Sequence, residues 1–230
     1  MVRSTALAIA AAAAWNVRPA AAQVPVELYT SLDPIPQVVD DVELRSWSLF
    51  LICEPDWVLE RDSQRLWELY WTFLELGEAL GPEHAAVWFW TRDPGTPGSG
   101  EIHTAIDVVR SRAYCSVLGE EALPSESPHL LITTRYPGPG FVSDIPGTVL
   151  PPEELAVVHL GGRDADELEA LMEEVVDRVY AGDIQALDPE SEGFWRAWQS
   201  VFESLQTGIA EGARALSFTI RSGFFEIGVG

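Results

Sequence analysis

Apolar and polar positions along this chain fall into blocks whose period switches between that of a strand and that of a helix. Arg45 to Ile52 alternates loosely and is rich in bulky residues, as a buried strand requires. From Asp62 to Leu80 the spacing becomes helical, with Leu66, Trp67, Leu69, Tyr70, Trp71, Phe73, Leu74, Leu76 and Leu80 forming a face wider than one stripe. A face that wide predicts a helix covered on more than one side. Gly81-Pro82 ends it, and Ala85 to Trp90 reads as a second buried strand. Beyond the loop Asp93 to Gly100, the residues Ile102, Ala105, Ile106, Val109, Ala113 and Val117 recur at helical spacing. On that wheel Cys115 falls off the stripe, near Ser111 and Arg112, and is expected to be accessible. Two further strands follow, His129 to Thr134 and Leu155 to Leu160, joined by the Pro- and Gly-rich connection Pro137 to Pro152. Asp164 and Glu167 stand at capping-box spacing before Leu168, Leu171, Met172, Val175 and Val179, a single clean helical face.

Strands alternating with helices imply parallel pairing and an α/β layered domain, and the loop between the last two strands lets them pair antiparallel. The tail adds a second pattern. Phe194, Trp195, Trp198, Val201, Phe202 and Leu205 share one helical face, and two short strands flank Arg221-Ser222-Gly223. This face has two readings: it packs on the wide-faced helix while the strands extend the sheet, or Trp195, Trp198 and Phe202 anchor a partner or a dimer seam. The chain thus divides into 1–22, an extended arm over 23–44 broken by Pro25, Pro34 and Pro36, an α/β domain over 45–182, and a C-terminal helix and β extension over 183–230.

Composition changes this picture at the N-terminus. Met1-Val2-Arg3 is a basic start, Ser4 to Trp15 is Ala-rich and apolar, and Ala20-Ala21-Ala22 precedes Gln23 as a signal peptidase site does. The stretch is too short to span a bilayer, which takes about 20 residues. A cleaved signal over 1–22 makes the expected location the periplasm or the exterior, with no membrane attachment afterwards. Cleavage removes Arg3 and Arg18 and no acid, so the net charge of −22 loses two positive charges and becomes −24. The chain has no lysine. Such a surface repels nucleic acid and anionic headgroups, so neither is expected as a partner; the acidity serves solubility or attracts cations or a basic partner, and a protein or peptide partner stays open.

The two cysteines, Cys53 and Cys115, carry the candidate chemistry. Cys53-Glu54-Pro55-Asp56 closes the first strand, and Ser127-Pro128 opens a later one. With the order of elements, these residues resemble the thioredoxin-like fold: a central mixed sheet flanked by helices, here with a C-terminal helix and β-hairpin added. The resemblance covers about Arg45 to Tyr180. It implies that Cys53 holds the nucleophile position and that Pro128, after Ser127, is the cis-proline facing it across a substrate groove. Three features depart from the family. Asp56 stands where the second cysteine belongs, Leu51-Ile52 replaces the preceding tryptophan, and the first helix is expected to start near Asp62. Without a resolving thiol in the motif, ordinary dithiol exchange has no second step. Glu54 and Asp56 also oppose thiolate formation at Cys53. The pair therefore admits a structural disulfide, a buried small side chain at Cys53, or a reactive thiol working with Cys115 at long range.

Other chemistries find less support. His84, His103, His129 and His159 show no metal-ligand spacing, although His129 and His159 fall on strands expected to be neighbours. No P-loop, Gly-x-Gly-x-x-Gly or Gly-x-Ser-x-Gly motif is present, so neither cofactor nor metal is called for. The long connection reads either as an inert surface loop or, with Tyr136, Phe141 and Asp144, as the rim of a groove. The resulting expectation is an exported binding or scaffold protein without a dithiol. The alternatives are a thiol-dependent oxidoreductase using Cys53 and Cys115, or a structural protein that self-assembles through its Trp-rich helix.

Overall fold

The computed structural model describes residues 26–28, 33–95, 100–118, 127–141, 153–208 and 216–229. The segment read as a signal, and Asp144, lie outside them. The remaining chain forms β1 (Val26–Leu28), β2 (Val38–Val39), β3 (Val42–Glu43), β4 (Ser46–Leu51), α1 (Pro55–Leu59), α2 (Ser63–Leu80) and β5 (His84–Phe89). Then come α3 (Ile102–Ala105), α4 (Val108–Leu118), β6 (His129–Thr133), β7 (Leu155–His159), α5 (Ala165–Ala181), α6 (Glu192–Gly208), β8 (Ser217–Arg221) and β9 (Glu226–Val229).

Seven strands form one mixed sheet in the order β1-β5-β4-β6-β7-β8-β9. β1 and β4 run parallel to β5, and each pair from β4–β6 through β8–β9 is antiparallel. The arm thus ends one side of the sheet and the hairpin extends the other. Between them β2 and β3 make a tight antiparallel turn at Asp40-Asp41, both with positive φ (49° and 66°), the backbone that a two-residue hairpin of this hand requires.

The two faces of the sheet follow from strand parity. Even-numbered residues such as Phe50, Trp88, Ile132, Val158 and Phe218 join α2, α5 and α6 in one core. Odd-numbered Leu49, Leu51, Val87, Phe89, Leu131 and Val157 join Tyr114, Cys115 and Leu118 of α4, with Ile35 and Phe141, in the other. All positions of β4, β5 and β6 are buried, which is why these strands read as continuous apolar runs. Helix α2 is enclosed by the sheet and by α5, as its wide face predicts. Its Gly77 allows that closeness: a Cβ there would lie 2.7 Å from the Cβ of Ala86 on β5.

The tail differs from one of its readings. Trp195, Trp198 and Phe202 are 1%, 0% and 0% exposed, within the α2–α5 core. They are therefore unavailable as partner anchors, because the molecule itself occupies the surface they would offer. The main partners of α6 are α5 and β8 rather than α2.

Candidate functional site

Cys53 follows β4 after Ile52, at the end of the sheet where β4, β5 and β7 finish. The chain turns there because Pro55 occupies the first turn of α1, with Glu54 as the cap residue in extended conformation. Helix α1 therefore begins at the tetrapeptide and not near Asp62. Its five residues are too few to register as a period, although Trp57 and Val58 are buried. Asp62 instead caps the second helix, accepting a hydrogen bond from the Gln64 N–H at 2.8 Å.

The sulfur of Cys53 is bonded to that of Cys115, with the two Cα atoms 6.0 Å apart. Their exposures are 0% and 3%, so neither sulfur meets solvent. Cys115 is thus inside, contrary to its place on the predicted wheel. The wheel fails because the helical stretch is broken at Ile106-Asp107. Asp107 restarts it, its carboxylate accepting from the Arg110 N–H at 2.9 Å. The new phase buries Ser111, Tyr114, Cys115 and Leu118 and leaves Val109 79% exposed. An aspartate followed by a new apolar spacing was the signal for that restart.

Backbone bonds lock the bridge in place. The Ile52 N–H donates to Ser111 Oγ and the Cys53 N–H to Ser127 Oγ, each at 2.9 Å. The Ser127–Pro128 peptide is cis and both residues are buried, directly before β6. Beside Cys115, burial pushes the Tyr114 hydroxyl up to about 12, so it stays protonated and donates to the Pro137 carbonyl at 2.7 Å. Tyr136 donates to the Ile35 carbonyl at 2.5 Å and its ring packs on Trp47, while Phe141 is buried. These two side chains of the connection are spent on packing rather than on a groove.

His129 and His159 face each other across β6 and β7, Nδ1 to Nδ1 at 3.0 Å, on the same sheet face and at the same end as the disulfide. That contact needs a proton on one nitrogen and none on the other. Among the described residues no group of three or more His, Cys, Asp or Glu side chains is placed to hold a metal ion. No helix among them is long and apolar enough to cross a membrane.

At the opposite end of the sheet lies a serine–histidine arrangement that sequence reading missed. His84 Nδ1 is 2.7 Å from Ser46 Oγ, and its Nε2 is 2.8 Å from Ser48 Oγ. Ser46 lines a cavity of about 380 Å³ with Arg45, Glu83 and Asp188. Burial holds the His84 imidazole down to about 3, far too weak a base to activate a serine near neutral pH. Both ring nitrogens are bonded to serines and none to a carboxylate, so the group is a buried polar clip. Its signal in the sequence was a pair of serines two apart in an otherwise apolar strand.

Comparison with protein-family models, with curated proteins and with solved structures finds no significant match to this chain.

Proposed function

We propose that the chain is an exported thioredoxin-like domain that binds or scaffolds a protein or peptide without exchanging thiols. One observation carries this reading: the sole cysteine of the Cys53-Glu54-Pro55-Asp56 turn is buried and bridged to α4, while Asp56 occupies the outer position of the motif, exposed. Thiol exchange needs a sulfur that a second sulfur can reach, and this bridge offers none. The family reading is supported by the order β5-β4-β6-β7, with its first pair parallel and its later pairs antiparallel. It is further supported by α2 between the parallel strands, α4 on the other face, and a cis-proline just before β6. Because Ser127 and Pro128 are buried, a partner at this end would meet the exposed Pro55 and Asp56. The exposed Asp56 carboxylate there favours a basic group on the partner.

Export is supported by the Met1–Ala22 pattern and by a disulfide, which persists in oxidising compartments. N-terminal sequencing of the protein recovered from a bacterial periplasm should begin at Gln23; a chain retained in the cytoplasm with Met1 in place overturns the export reading. For the function itself, thiol titration of the native protein should detect no free thiol, and denaturation under reduction should release two. The protein should also fail to turn over a disulfide substrate in the presence of a dithiol reductant. Turnover that Cys53→Ser abolishes would establish the oxidoreductase reading in its place.

A further inference from the structure

Hydrogen-bond saturation decides where the protons of the Ser46–His84–Ser48 clip lie. Burial keeps the His84 ring neutral, so one of its nitrogens donates and the other accepts. One serine therefore gives its hydroxyl proton to the ring, and the other keeps its own for a further acceptor. Ser48 is 0% exposed, and its hydroxyl has no partner besides Nε2 among the described residues. A proton left over there would be an unmatched donor sealed in the core, which is costly. Ser48 thus donates to Nε2, and the Nδ1–H donates to Ser46 Oγ at 2.7 Å. The remaining hydroxyl proton belongs to Ser46, which has no second side-chain partner among the described residues.

Ser46 is also the member of the clip that borders the cavity of about 380 Å³. Its side chain shares a strand face with Ser48 and Phe50, the face covered by α2, α6 and the helical turn Ile184–Ala186. Those elements wall the cavity, so the serine hydroxyl and the cavity lie on the same side of the sheet. Ser46 is 3% exposed and stands at the inner end. The walls are apolar: Leu80, Ile184, Pro189 and Phe194 are buried, and Leu187 is half-buried. At the mouth Arg45 pairs with Glu83 at 3.4 Å and with Asp188 at 2.6 Å, one cation against two exposed carboxylates. Apolar walls around a single buried donor are the usual make-up of a small-molecule site, and the volume is within its range.

We propose that this cavity binds a small uncharged molecule with a compact apolar body and one carbonyl or ether oxygen, which accepts from the Ser46 hydroxyl. An anionic ligand would meet Glu83 and Asp188, whose charge exceeds that of Arg45, in a chain of net charge −22. An ammonium group would exchange water for apolar walls and gain no acceptor at the inner end. The cavity opens beside the start of β4, and Asp56 and Pro128 lie beyond its other end, so this site is separate from the partner surface proposed above.

Titration of the isotope-labelled whole protein with acetophenone, followed by amide shifts in NMR, tests this. Shifts at Gln185, Ala186 and Leu187 are expected, with a dissociation constant in the millimolar range or tighter. Ser46→Ala should weaken acetophenone about fivefold, the loss of one hydrogen bond, and leave ethylbenzene, the same body without the oxygen, unchanged. Ala186→Phe, which fills the cavity from its exposed rim, should abolish binding of both probes. Long-range proton–nitrogen correlation spectra of the native His84 ring should place its proton on Nδ1. If Ser46→Ala fails to fold, the ring spectrum and Ala186→Phe decide. The proposal is overturned if acetophenone produces no shifts up to about 10 mM, or if Ala186→Phe leaves its binding intact. It also fails if Ser46→Ala affects both probes alike, or if the ring proton resides on Nε2, since Ser46 then gives its own proton to the ring.

Discussion

His84 shows how one side chain ties stability to pH. Its ring is 1% exposed and bonded to two serines, and desolvation lowers its pKa from 6.5 to about 3. In the unfolded chain the same ring takes a proton near pH 6.5, so below that pH the unfolded state binds a proton that the folded state refuses. The stability that His84 confers is complete above about 6.5 and falls as the pH drops toward about 3. Between pH 7 and pH 5 the loss amounts to about 2 kcal/mol. Urea unfolding at those two values should show the native protein losing about that much more than His84→Asn. Equal losses would mean that the folded ring accepts a proton after all. Nothing in the sequence alone distinguished His84 from His103, because burial is a property of the neighbours. Ser46 and Ser48 were the only clue, readable once β5 is known to lie beside β4.

At the scale of elements, the disulfide fastens α4 to the end of β4 and closes a loop with a sequence separation of 62. Restricting an unfolded loop of that length contributes about 4 kcal/mol. Cys53→Ala/Cys115→Ala should therefore lower the unfolding free energy by about that amount, and the oxidised native protein should lose the same on reduction. A change below about 1 kcal/mol would show that the hydrogen bonds of Ser111 and Ser127 hold this end without the bridge. The contact of α2 with β5 gives a second test. Gly77→Ala brings two Cβ atoms to 2.7 Å and should cost about 1–3 kcal/mol. Adding Ala86→Gly should restore most of that loss, since it removes the atom that clashes. Failure of the rescue would place the strain in the helix backbone instead. Long elements with an unbroken period, α2, α5, α6 and the buried strands, were legible from the sequence, as was the Asp164–Glu167 capping box. Short ones were not: α1 is shorter than two turns, and the break at Asp107 shifts the helical phase, which turns inward the Cys115 that an unbroken wheel leaves off the stripe.

The whole molecule sets a large core against a large charge. The apolar pattern gave the layers correctly, but it could not say whether the Trp-rich face of α6 meets this chain or another one. That choice depends on where α5 and β8 lie, which no local spacing encodes. The acids are a different matter, because they are scattered and their count is visible at once. Thirty-six carboxylates face 14 arginines, for a net charge of −22. Two opposed effects follow. Exposed ion pairs such as Arg65 with Asp166 and Glu169 stabilise the joined helices α2 and α5, and salt weakens them. Repulsion among the excess carboxylates destabilises the compact state, and salt relieves it. Exposed pairs contribute about 0–1 kcal/mol each, and few are available for so many acids, so the repulsion prevails. The melting temperature should therefore rise by several degrees between about 10 mM and 500 mM sodium chloride, where the screening length falls from about 30 Å to a few ångströms. Scanning calorimetry at both concentrations at pH 7 measures it. A melting temperature that falls with salt would show that the ion pairs, rather than the excess charge, govern the stability of this surface.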